Sequence, residues 1–316
     1  MKRITKQKRK DAEKKREIKT DVFNTSCKSV KLFDFEMILP GNSVVRVGEK
    51  LDILTGGLSP KSMSGDILSI LRSAVADCGV FDGVLVSGGI DSSVIAAIAE
   101  EKIGSIRLFV AGFPSSDDVA FSEILGSSLG VKVDSIILDE KKIEKIIKKL
   151  KAFGLDTYSV IIGIVEYAAI EYAASHGCRR LLSGVGSDEL FLGFSKHREE
   201  KSVAKLKKMR ESRLSYINVT DLYRIKTIAD KLGVEVLLPY LNEKVVNFAL
   251  NMHIKSTQYI YRKTLLRSAG KQLGLDERIV ERNKKAMQYG SGVMKHLERI
   301  AREHGVKNVG EYIKRI

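Results

Sequence analysis

The sequence predicts an α/β fold, a parallel sheet with helices on both faces, continued by a helical C-terminal part. Three observations predict it. From about Ser64 to Leu182, short apolar runs alternate with amphipathic or alanine-rich segments of helix length. Two of those runs break at a serine-glycine corner followed by an aspartate: Ser87-Gly88-Gly89-Ile90-Asp91, and Ser183-Gly184-Val185-Gly186-Ser187-Asp188. Beyond residue 196 the pattern changes to helical spacing. A chain of 316 residues, 44% hydrophobic and 29% charged, has a globular composition and can bury a full core.

In order, residues 1–25 read as a basic, flexible tail. The first twenty positions carry ten Lys/Arg against Asp11, Glu13 and Glu17, with few apolar residues. Residues 29–39 and 43–47 read as strands around the turn signal Pro40-Gly41-Asn42, and residues 56–60 as a loop. Residues 26–63 are thus expected to be a short β segment with a linker, and 64–316 the main domain. There, Ile67, Leu68, Ile70, Leu71, Ala74 and Val75 have helical spacing, and Phe81 with Val84-Leu85-Val86 reads as a buried strand. Residues 94–99 resume as an alanine-rich helix. Strands follow at 106–113, 131–138 and 178–182, with helices at 119–129, 141–151 and 160–175 between them. The lysine-rich 141–151 segment keeps Ile143, Ile146, Ile147 and Leu150 on one face, so its lysines face water. Helices are then expected in the basic stretch 196–213 and at 220–232, 242–250 and 260–273, before a charged C-terminal segment.

Composition removes several classes of function. No run of 18 apolar residues is present, and the N-terminus has no apolar signal region. Cys27, Cys78 and Cys178 have no paired spacing, and the five histidines have no metal-ligand spacing. A cytoplasmic protein without structural zinc is expected. The net charge of +15 attracts phosphate, whether in ATP or in RNA.

The first corner carries the chemistry. A strand, a tight Ser-Gly-Gly turn and a helix start gather backbone N–H groups at the positive end of a helix dipole, and Ser87, Ser92 and Ser93 add hydroxyls. Glycine is expected there so that a phosphate can approach the backbone. Asp91 would repel that phosphate unless a cation lay between them, and Mg²⁺ is the hard cation that favours both kinds of oxygen. Adjacent strands would bring Asp188 to the same rim, and two carboxylates meeting a polyphosphate make a Mg²⁺ site. An ordinary strand–helix turn and a helix-capping Asp188 are the plainer alternatives.

Ser-Gly-Gly-Ile-Asp-Ser-Ser after a strand resembles the pyrophosphate-binding loop of the ATP pyrophosphatases, whose fold is adenine nucleotide alpha hydrolase-like. It lacks the Walker pattern, which disfavours γ-phosphate transfer. With Ser183-Gly184-Val185-Gly186-Ser187-Asp188-Glu189-Leu190-Phe191, the chain resembles the synthetase domain of asparagine synthetase B and its relatives, including β-lactam synthetase. Arg224 with 232–241, Lys263 with Arg267, and Arg282-Asn283-Lys284-Lys285 with Gly290-Ser291-Gly292 match further family stretches in order.

The resemblance implies a two-step reaction: a carboxylate attacks the α-phosphate of ATP, pyrophosphate leaves with magnesium, and an amine then displaces AMP. Carried over by position, Ser87, Gly88, Gly89, Asp91 and Ser92 would hold pyrophosphate. Val86, Ala111, Ser183 and Gly184 would line the adenosine and α-phosphate. Asp91 and Asp188 would bind Mg²⁺, and Lys284 would be the catalytic lysine, with Lys285 its alternative neighbour and a surface lysine the plainer reading.

Three departures qualify the match. The family glutamate between the second glycines is Val185 here, which cannot move a proton; Glu189 or Asp118 are the candidates to replace it. The family's glutaminase domain opens on a cysteine after the initiator methionine, whereas this chain opens Met1-Lys2. Nitrogen is therefore expected from ammonia, a substrate amine or a separate glutaminase partner. Asp156 is kept without the neighbouring acid that aspartate recognition uses. Asparagine synthesis from aspartate is the most concrete expectation. The alternatives are a tRNA-modifying adenylase, which the basic segments favour, and a nucleotide-binding regulatory protein with decayed chemistry, which Val185 favours.

Overall fold

The computed structural model describes residues 35–38, 44–47, 60–194, 197, 200, 202–252 and 263–316. The expected tail, the linker up to residue 59 and the start of the 260–273 helix lie outside them. The chain divides into two units, Met1–Phe35 and Glu36–Ile316. Strands β1 (Phe35–Ile38) and β2 (Val44–Val47) pair with each other as a two-stranded sheet.

The main sheet has five strands: β3 (Gly83–Leu85), β4 (Arg107–Gly112), β5 (Lys132–Ile137), β6 (Arg180–Ser183) and β7 (Glu235–Leu237). Their order is β5-β4-β3-β6-β7, and every pairing is parallel. Val84 stands opposite Leu108 on one side and Leu182 on the other. The chain therefore builds outward from β3 to β5, then returns to the far side of β3 with β6. Between β3 and β6 the winding reverses, and ligands of such sheets bind outside the carboxyl ends of the strands at that place. Both serine-glycine corners lie there.

Helices cover both faces, as alternation along the strands requires. Phe109, Ala111 and Leu181 face a core built with α4 (Glu140–Ala152), α5 (Thr157–Ser175), α8 (Asp221–Leu232), α13 (Val293–Glu303) and α14 (Val309–Arg315). Helix α5 is apolar nearly all round, and most of its residues between Ser159 and Ala173 are buried, as an alanine-rich helix inside a core must be. In α4 the four predicted apolar positions are the buried ones, and Asp139 caps its start. On the other face lie α1 (Pro60–Asp77), α2 (Ile90–Ile103), α3 (Asp117–Leu129) and α10 (Thr264–Gln272). There Gly126 meets Val133 so closely that a Cβ would not fit. Two one-turn helices, α11 (Glu277–Val280) and α12 (Met287–Gly290), flank the segment that leads from α10 to α13.

Several bounds differ from the sequence reading, the basic-stretch helix, expected within 196–213, running Val203–Ile217. Helix α1 begins at Pro60, because proline's fixed φ and missing N–H suit a first helical position. The edge strand β7 is an addition: its three residues follow Gly233, whose φ of 66° ends α8, and they are too few to show alternation. In the basic stretch, α7 (Val203–Ile217) buries Arg210 completely; its guanidinium donates to the carbonyls of Ala249 (2.7 Å) and Leu250 (3.2 Å). Those are in the last turn of α9 (Glu243–Asn251), whose carbonyls have no partner within the helix.

Candidate active site

The first corner forms from β3 into α2. Val86 N–H still donates to Phe109 O at 2.9 Å, and the chain then turns through Ser87, Gly88 and Gly89. Gly88 has φ +63°, and a Cβ there would strike Phe121 and Ser122 of α3. Packing against α3 and the positive φ therefore already require glycine at this position. Gly89 is the residue with an open face, where an added Cβ would meet only Ser87 Oγ, at 3.4 Å. It caps α2 with no side-chain bond, so the first amides of a 14-residue helix are left for an anion. Ser92 Oγ accepts from Ser87 N and donates to Gly89 O, both at 3.2 Å. Its hydroxyl braces the turn.

The second corner runs from β6 into the short helix α6 (Ser187–Leu190). A Cβ on Gly184 would approach Ser92 N to 3.0 Å, so the two corners touch backbone to backbone. Ser183, Val86 and Ala111 are buried at the ends of their strands. Val185 packs against the apolar core.

This contact aligns the two carboxylates. Ser187 Oγ donates to Asp91 Oδ1 at 2.9 Å, and Tyr240 Oη donates to the Asp91 carbonyl at 3.1 Å. Lys263 Nζ lies 2.5 Å from Asp91 Oδ2 and 2.5 Å from Asp188 Oδ1. Lys284 Nζ lies 2.8 Å from Asp188 Oδ2 and 3.5 Å from Asp91 Oδ2. Burial works against the charge on Asp188, but Lys263 and Lys284 outweigh it and hold the carboxyl well below the usual range. Burial likewise opposes the Lys284 ammonium, and Asp188 and Asp91 outweigh it, holding it above the ordinary lysine value.

Lys284 belongs to a strap, Arg282-Asn283-Lys284-Lys285, tied down at both ends. Arg282 donates to Asp118 Oδ1 at 2.6 Å and to the Ser87 carbonyl, and lies over the Phe121 ring at 4.4 Å. Arg267 holds the strap's carbonyl at Arg282 (2.8 Å), and Lys285 pairs with Asp117. Together with Ser87, Gly89, Lys263 and Lys284, these arginines line one cleft. Asp118, buried beside Arg282, has its carboxyl pushed up to about 6 by burial against the pull of that arginine. Glu189 is buried behind Asp188 and is pushed to about 7 by burial and by the charges of Asp188 and Asp221.

The structure thus brings Ser87, Gly88, Gly89, Asp91, Ser92, Gly184, Asp188 and Lys284 to one place. Asp156 serves elsewhere: its carboxylate caps α5 through Ser159 N at 2.9 Å. Sequence reasoning assigned no role to Lys263, Ser187, Tyr240 or Arg282. All four fall within the family stretches matched in the sequence, which are the signals for them.

Two oxygen-bearing side chains sharing a positive charge fit a divalent cation, the ammonium of Lys263 standing in for it. Among the described residues no group of three or more His, Cys, Asp or Glu is placed to hold a metal. Such a cation would need its remaining ligands from phosphate and water.

Comparison with known proteins bears on what this cleft belongs to. The family model described as asparagine synthase matches residues 66–216 and 196–309. The chain belongs to the asparagine synthase family. A Methanocaldococcus jannaschii relative named for asparagine synthetase [glutamine-hydrolyzing] 1 is 30% identical over 272 residues, covering 73% of this chain and 50% of that protein. Asparagine synthetase B [glutamine-hydrolyzing] of Escherichia coli K12 is 24% identical over 188 residues, covering 54% of this chain and 34% of its own length. The chain spans between a third and a half of these curated family members. Among solved structures, NMN synthetase from Francisella tularensis aligns at TM-score 0.42 and 16% identity, covering 79% of this chain and 88% of that one. Both corners and the strap fall inside the matched family range. No helix among the described residues is long and apolar enough to cross a membrane.

Proposed function

We propose that this chain is the synthetase unit of an ATP-dependent, AMP- and pyrophosphate-forming ligase, which adenylates a carboxylate and transfers the acyl group to ammonia or an amine. Asparagine formation from aspartate is its most concrete form. One observation carries the reading: the uncapped start of α2 lines one cleft with Lys284, whose ammonium pairs with both Asp91 and Asp188.

The chemistry follows from where charge develops. A substrate carboxylate oxygen bonds to the α-phosphorus, the bond from that phosphorus to the bridging oxygen breaks, and pyrophosphate departs. The amides of Gly88 to Ser92 and the α2 dipole hold the pyrophosphate as its charge grows. Lys284 is placed to offset charge at the α-phosphate in both steps. Asp91 and Asp188 would hold Mg²⁺, which when bound neutralises polyphosphate charge. In the second step the amine nitrogen bonds to the acyl carbon, AMP leaves, and the amine gives up a proton. Val185 cannot take it, and Asp118 is committed to Arg282, which leaves Glu189 as the carboxylate to test. Nitrogen would come from ammonia, an amine or a separate glutaminase partner. A cytoplasmic setting suits ATP use.

The deciding experiment incubates the protein with ATP, Mg²⁺, ammonia and a panel of carboxylates, and assays pyrophosphate against orthophosphate. Pyrophosphate with AMP supports the ligase; orthophosphate with ADP overturns it. A second reading, a regulatory nucleotide-binding protein, is favoured by Val185, a half-buried apolar residue packed against the core, standing where the family has glutamate. It expects ATP binding with no pyrophosphate from any mixture. The tRNA-modifying alternative expects tRNA binding with a steep salt dependence.

A further inference from the structure

Lys263 stands where the sequence reading placed a metal. Its side chain is 3% exposed, and its single ammonium is equidistant, at 2.5 Å, from carboxylate oxygens on the two separate corners. A third bond reaches Ser187 Oγ at 3.2 Å. Its stem is packed: a Cβ on Gly193 would run into Lys263 Cε and the Asp188 carboxylate. Its backbone has φ +57°, a conformation that is costly for a residue with a side chain, so the ammonium is held at the expense of local strain. Lys284 neutralises the second charge from the open side. The two carboxylates and two ammonium groups therefore cancel, and a free divalent cation finds neither net charge nor an open position there.

We propose that Lys263 is a built-in counter-ion for the Asp91/Asp188 pair, which makes loading of a divalent cation depend on nucleotide. A polyphosphate offers both lysines new anionic partners, and only then are the carboxylates released to a cation that arrives with it. This rests on the reading of the cleft as a magnesium-nucleotide site, but its test uses the metal alone.

Mn²⁺ is titrated into the full chain without nucleotide and followed by electron paramagnetic resonance, with thermal unfolding in parallel. Wild type should show no stoichiometric site and no shift in unfolding temperature. Lys263→Met should bind one Mn²⁺ at least roughly tenfold more tightly and unfold at a higher temperature when Mn²⁺ is present. Adding Asp188→Asn to that variant should abolish both effects. A stoichiometric Mn²⁺ site in nucleotide-free wild type, or equal binding by wild type and Lys263→Met, overturns the proposal. Lys263→Gln is the second variant; if either substituted chain folds only when Mn²⁺ is added, the counter-ion role is supported. If neither folds even with Mn²⁺, the wild-type titration decides. Failure of the ligase reading would instead show as absent pyrophosphate release, which none of these measurements uses.

Discussion

Arg282 and Asp118 form a buried ion pair, 2.6 Å from Nη2 to Oδ1, between groups 164 positions apart in sequence. The same guanidinium donates to the Ser87 carbonyl, so one residue fastens the C-terminal strap to the first corner and to the start of α3. Lys284, two residues on, owes its place in the cleft to that fastening.

Arg282→Met should destabilise the protein by about 3–5 kcal/mol, because it leaves the buried Asp118 carboxylate without its partner. Urea unfolding measures this. The pH dependence has a definite sign. The folded value of Asp118 lies above its ordinary 3.8, at about 6. Between those values the folded chain keeps a proton that the unfolded chain has lost, so this group's contribution to stability falls as pH rises through the window. The strap needs the ionised carboxylate and moves the other way, so turnover should fall as pH drops below about 6. A profile flat down to the ordinary aspartate value of 3.8 would contradict the clamp.

Lys284→Met should cut pyrophosphate release by about 10²–10³-fold and weaken nucleotide binding by a smaller factor, since it removes a preorganised charge felt most in the transition state. Asp91→Asn and Asp188→Asn should each abolish most magnesium-dependent turnover. Equilibrium nucleotide binding beside a pyrophosphate assay separates the two effects.

Glu189→Gln should leave ATP–pyrophosphate exchange unchanged and slow product formation from the amine, by about 10²–10⁴-fold if the carboxylate acts as general base. Equal loss in both half-reactions would remove Glu189 from the proton transfer.

Behind the site, Arg224 is paired with Glu166 at 2.7 Å, both side chains 3% exposed, and reaches Asp221 as well. Glu166→Gln should cost about 3–5 kcal/mol in urea unfolding. Exchange activity per folded molecule should be unchanged, because neither residue lines the cleft.

The alternation of strands and helices was legible because α4 and α5 carry their burial in their composition: one-sided isoleucines in α4, apolar residues all round in α5. The corners were legible because so short a run of serine, glycine and aspartate has few structural uses. Strand β7 was not, since three residues hold no period and only pairing with β6 defines them. The packing constraint on Gly88 is hidden from the sequence for a similar reason: the obstruction is Phe121 and Ser122, which belong to a different helix. Lys263 could be found only by motif, because nothing local announces that an ammonium will be buried between two distant aspartates.

The order of the sheet also has a consequence for synthesis on the ribosome. Asp91 and Asp188 emerge well before Lys263 and Lys284, yet in the finished protein they face each other across a backbone contact. Until the lysines are made, closing that rim would bury two like charges without compensation. The nascent sheet should therefore stay open at its carboxyl edge, and a bound nucleotide would report that the last stretch of the polypeptide has docked.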